Sequence, residues 1–74
     1  MAPLPLLPGR EVVRVLARLG FEVDRQPGSH IVLRQIAPPY RRVTVPDHNE
    51  VARGTLRSVL QHADVTQEEF LRLL

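Results

Sequence analysis

The sequence has no cysteine, no tryptophan and no lysine, and its only aromatic side chains are Phe21, Tyr40 and Phe70. Without cysteine there is no disulfide scaffold, zinc finger, iron-sulfur cluster or cysteine nucleophile, so any core must hold by packing alone. Apolar runs are short and soon broken by proline or charge, and Met1 to Pro8 lacks the basic start of an export signal. Neither a signal peptide nor a membrane span is expected, and a cytoplasmic location is. The chain is also short, at 74 residues. One small domain of this size cannot enclose a deep pocket, which excludes large nucleotide-cofactor enzymes and predicts no small-molecule cofactor. The scarcity of aromatics leaves only Tyr40 free to stack on a base, which disfavours single-strand recognition by aromatic platforms.

What is present points to a folded α+β domain. Hydrophobic residues make up 43% of the chain and charged residues 24%, a globular rather than a disordered composition. Three of the seven prolines fall in residues 1–8, and proline removes a backbone donor, so this stretch reads as an extended N-terminal arm without regular structure. Residues 9–74 then read as a single domain. From Gly9 to Leu19, Val12, Val13, Leu16, Ala17 and Leu19 recur at helical spacing, with Arg10, Arg14 and Arg18 forming a stripe at i, i+4 and i+8. Gly20 supplies the stop. Phe21 to Gln26 alternates with period two, Pro27-Gly28-Ser29 breaks the pattern, and His30 to Gln35 alternates again. The Ile36 to Tyr40 segment is a proline-rich loop, and Arg41 to Val45 is a third strand ending at Pro46. If Gln35 closes opposite Arg41, Ile31 faces Val45 and His30 faces Pro46, in an antiparallel meander. Leu56, Val59, Leu60 and Ala63 mark a second helix opening at Gly54-Thr55. Thr66 and Glu69 form a capping box for a short third helix. Helices are expected on one sheet face, over a core of Val12, Leu16, Phe21, Val23, Leu33, Val45, Leu56, Leu60 and Phe70.

Histidine is the side chain type that titrates near neutrality unaided, so acid-base chemistry falls to one of three residues. His30 opens a strand directly after a Pro-Gly-Ser turn, where nothing apolar is required of it. His48 lies in a polar loop, and His62 late in a helix suits the negative end of the helix dipole. The 18-residue gap between His30 and His48 matches no ligand motif, and no metal site is expected. The side chain of Ser29 points away from that of its neighbour His30, against a serine hydrolase. The cations are more telling. All ten are arginine, against eight acids, and Arg10, Arg14, Arg18, Arg41, Arg42, Arg53 and Arg57 group in three places. Arginine binds phosphate through its planar fork of donors, so a polyanion or an acidic protein is the expected partner.

Taken in order, Gly20-Phe21, Arg25-Gln26-Pro27-Gly28-Ser29-His30, Arg42-Val43-Thr44-Val45-Pro46 with His48, Gly54-Thr55-Leu56-Arg57-Ser58-Val59-Leu60 and Glu68-Glu69-Phe70-Leu71 resemble the HicA family of mRNA interferase toxins. The resemblance spans residues 9–74. It implies an αβββα fold like that of double-stranded RNA-binding domains, with a short extra C-terminal helix. It further implies metal-independent ribonuclease activity on mRNA, neutralisation by a HicB-type antitoxin, and a catalytic role for the histidine of Gly-Ser-His, here His30. Three positions depart from the family pattern. Ile31 stands where many relatives carry a second histidine, Ala52 where a lysine is common with Arg53 one place later, and Pro8-Gly9 where a Ser or Thr cap is usual.

The residues suit that chemistry. The 2′-hydroxyl of RNA can serve as nucleophile, so the protein need supply only a base, an acid and cations. His30 is the expected base within the turn formed with Gly28 and Ser29, and His48 the candidate acid. Arg10, Arg14, Arg18, Arg53 and Arg57 are the expected RNA contacts. Two alternatives use the same residues: a non-catalytic RNA-binding module of the same fold, and a domain that binds only an acidic protein.

Overall fold

A computed structural model describes residues 3–74. Helix α1 (Gly9–Arg18) is followed by strands β1 (Phe21–Arg25), β2 (His30–Gln35) and β3 (Arg42–Pro46), then helices α2 (Arg53–Ala63) and α3 (Gln67–Arg72). The helical spacing of Val12, Val15 and Leu16 puts all three on the inner face of α1, where each is fully buried. The amides of Leu19 and Gly20 return to the carbonyls of Leu16 and Ala17, and Gly20 takes a φ of +94° that a side chain would resist. Near the C-terminus of the chain, Thr66 Oγ1 accepts from the Glu69 amide at 3.0 Å while Glu69 Oε1 accepts from the Thr66 amide at 3.2 Å. This is the expected capping box, and it starts a helix that buries Phe70 completely.

The three strands form one antiparallel sheet in the order β1-β2-β3. Its β2–β3 register is the expected one, with Ile31 opposite Val45 and His30 opposite Pro46. Arg41 closes the intervening loop, its carbonyl accepting the Gln35 amide at 2.9 Å and its amide donating to Gln35 Oε1 at 2.7 Å. The strand therefore begins at Arg42 and runs through Pro46, where an edge strand tolerates a residue without an N–H. Phe21, Ile31, Leu33, Val43 and Val45 are buried under the helices, while Glu22, Asp24, Arg42 and Thr44 are exposed. All helices thus cover one face, and the fold is α+β.

Two expectations need correction. Val23 was expected in the core and is 53% exposed. It pairs with the buried Leu33, but it sits on the outer strand immediately before a register shift between Val23 and Arg25, where it has a neighbour on one side only. The shift also brings Arg25 opposite Val32, on the uncovered side of the sheet, rather than leaving it in step with Phe21. The proline-rich arm, in turn, is not devoid of pairing. Leu4 is 1% exposed within the core, and Leu7 bridges Val51, accepting its amide at 2.7 Å. Residues 1–2 of the arm lie outside the described part of the chain.

Candidate nucleic-acid interface and catalytic histidine

The Pro27-Gly28-Ser29 turn is tight because Gly28 takes a φ of +60° and the His30 amide reaches back to the Pro27 carbonyl at 3.3 Å. It delivers His30 to the first position of β2, opposite Pro46. Ile31 and Leu33 face the helices, so strand alternation puts His30 on the other face with Val32 and Arg34, and its side chain is exposed.

Three elements converge beside it. The Asp47 amide donates to the Ser29 carbonyl at 2.7 Å, fixing the end of β3 against the turn. Asp47 Oδ2 accepts from Gln26 Nε2 at 3.0 Å and from Arg10 at 3.1 Å. The next carbonyl, that of His48, accepts the Gly9 amide at 2.9 Å. This approach is so close that a Cβ at Gly9 would lie 2.1 Å from the Pro46 carbonyl oxygen, so only glycine fits without a shift. His30, His48 and Arg10 therefore share one end of the molecule. Arg14 and Arg18 lie further along α1, by one and two turns.

The expected RNA contacts differ in how free they are. Arg10 is paired with Asp47, and Arg14 with Glu11 at 2.9 Å. The Arg14 hydrogen bond holds the Glu11 carboxyl below its usual range, and the same contact raises Arg14. Arg34, Arg41, Arg42 and Arg72 also have acidic partners. Among the described residues, Arg18, Arg25, Arg53 and Arg57 have none. Arg53 and Arg57 project from the first turns of α2, which opens at Ala52 with no side-chain cap and no acid. Two arginines thus add to the positive end of a helix dipole, an arrangement that repels itself unless an anion approaches. The Nε of Arg53 is fixed on the Leu4 carbonyl at 2.5 Å, which leaves the two terminal nitrogens for another partner. Neither this tie nor the Asp47 tripod was visible in the sequence, since each joins residues far apart in the chain with no periodic signature. No group of three or more His, Asp or Glu side chains among the described residues comes together to hold a metal ion.

The family described as HicA toxin of bacterial toxin-antitoxin systems matches the chain over residues 9–65. That is more than half of its length. The chain belongs to the HicA toxin family. A search of curated proteins gives no match. The matched stretch runs from the glycine of α1 that touches β3, through the Gly-Ser-His turn, to the residue after the C-cap of α2. It thus contains every residue of the convergent end except the arm, and the arrangement of one helix, three antiparallel strands and a following helix is consistent with a fold like that of double-stranded RNA-binding domains. A HicA family member acts as the toxin of a toxin–antitoxin pair. No helix of the described residues is long and apolar enough to cross a membrane.

Proposed function

We propose that this toxin is a cytoplasmic ribonuclease that cuts mRNA with His30 as its general base, and that a HicB-type antitoxin silences it. The observation that carries the reading is the placement of His30: exposed, at the lip of a tight turn, on backbone pinned by its neighbours Ser29 and Pro46. A base must be held within hydrogen-bond reach of the proton it removes, and a strand position supplies that rigidity.

In the proposed reaction an imidazole nitrogen of His30 takes the proton of a ribose 2′-hydroxyl. The 2′-oxygen attacks the adjacent phosphorus, the bond to the 5′-oxygen breaks, and the leaving oxygen takes a proton for which His48 is the proposed donor. The products are a 2′,3′-cyclic phosphate and a 5′-hydroxyl, and no metal is needed in the balance. Arg53 and Arg57 would neutralise the charge that grows on the phosphate, and Arg18 would hold the strand farther along.

The test is the chemistry of the cut ends. Purified protein in excess chelator should cleave a long RNA to fragments with cyclic phosphate and 5′-hydroxyl ends, and should leave fully 2′-O-methylated RNA intact. Fragments ending in 3′-hydroxyls would refute the 2′-hydroxyl route. RNA that is bound and never cut would make the chain a non-catalytic RNA-binding module.

A further inference from the structure

We propose that Asp47 is a positioning residue that orders the Pro27-Gly28-Ser29 turn and thereby aims His30, an inference that rests on the ribonuclease reading. The starting point is an electrostatic oddity. A carboxylate at the end of the molecule that carries His30, His48 and Arg10 opposes the approach of a polyanion, so a role in binding RNA is unfavourable for it. Its contacts supply a different role. One oxygen, Oδ2, takes hydrogen bonds from Arg10 in the first turn of α1 and from Gln26 at the start of the turn, while the backbone N–H of the same residue holds Ser29 at the turn's end. The side chain is 22% exposed, so these bonds are partly shielded from water, whereas its partner Arg10 is 74% exposed.

Both ends of the turn are thus tied to a single residue. Among the described residues, nothing else outside the turn hydrogen-bonds the side chains of residues 26–29. Gly28, at positive φ, gives the turn no stiffness of its own. With the Gln26 tie removed, the segment that leads into His30 would keep only its backbone bonds, from the Asp47 amide to the Ser29 carbonyl and from the His30 amide to the Pro27 carbonyl. A general base that drifts by about 1 Å loses on the order of a hundredfold in rate.

The account separates Asp47 from an ordinary surface acid by sign. In Asp47→Ala, kcat for RNA cleavage should fall about ten- to a hundredfold while KM stays level or drops, because a repulsive charge has gone. Asp47→Asn keeps an acceptor oxygen for Gln26 and Arg10 and should recover most of kcat. A rate that stays at the wild-type value in Asp47→Ala, or an Asn variant as slow as the Ala variant, overturns the proposal.

Backbone ¹⁵N relaxation on the free proteins gives a readout independent of activity. The amides of Gly28, Ser29 and His30 should be as ordered as strand residues in the wild type, near an order parameter of about 0.85, and should fall toward about 0.6 in Asp47→Ala. An equally ordered turn in the variant refutes the positioning role whatever the kinetics show. If the wild type cuts no RNA, the ribonuclease reading fails by itself, and the relaxation data still decide whether Asp47 orders the turn.

Discussion

Arg57 faces solvent with no acidic partner among the described residues, one turn along α2 from Arg53, whose Nε is already engaged by the arm. If both meet phosphate, Arg57→Ala should weaken RNA binding about equally for all sequences and reduce the slope of log affinity against log salt by about 1, as titration across salt concentrations would reveal. Arg10→Ala should do less to binding, since the Arg10 charge is already offset by Asp47. Glu11 gives a pH-dependent counterpart. Its carboxyl is held below the ordinary value of 4.5, chiefly by the hydrogen bond from Arg14. A depressed carboxylate supports the fold above that ordinary value, and the support is lost as pH falls through the lowered one. Thermal melts of wild type and Glu11→Gln should therefore differ slightly at neutral pH and converge in acid, the effect staying small because both side chains are substantially exposed to solvent. At this scale His30 and the free arginines of α2 could be picked out in the sequence as chemical types at suggestive places. The pairs between elements could not, because ion pairs such as Arg10–Asp47 join residues 37 apart.

Helix α1 and the β2–β3 hairpin were legible because each carries its own period: helical steps of apolar residues in one, alternation with a proline-rich loop in the other. The edge strand β1 was legible as a strand, but the exposure of Val23 was not, since alternation reports which face a residue occupies and not whether a helix extends over it. The arm was illegible for a related reason: a Pro-Leu stretch has no period, and the burial of Leu4 depends on a pocket assembled by the rest of the core. Leu4→Ala should cost about 2–5 kcal/mol in urea or thermal unfolding, the range for emptying a fully buried leucine site, even though it lies outside every helix and strand. An effect below about 0.5 kcal/mol would mean the arm does not belong to the core. At the first residue of α1, Gly9→Ala forces a Cβ against the Pro46 carbonyl, so helix and β3 must separate. Since that contact also fixes the His48 carbonyl, the variant should lose stability and activity together.

On the scale of the whole molecule, His30, His48, the uncapped start of α2 and the Gly9 contact lie at one end, built from the N-termini of α1 and α2, the β1–β2 turn and the end of β3. An acidic antitoxin and an RNA would meet the same unpaired arginines there, so binding should be mutually exclusive: labelled RNA retained on the chain should be released by the antitoxin, and the RNA affinity should fall steeply with salt. A stable ternary complex would contradict a shared surface. The most direct measurement is the rate of RNA cleavage in excess chelator by wild type, His30→Ala and His62→Ala, with circular dichroism showing all three folded. His30 is exposed at a turn, so its loss should leave the fold intact while the rate drops about a hundred- to ten-thousandfold, and His62→Ala should cut nearly as fast as wild type. A folded His30→Ala protein that cuts RNA at the wild-type rate would contradict the assignment of His30 as the base.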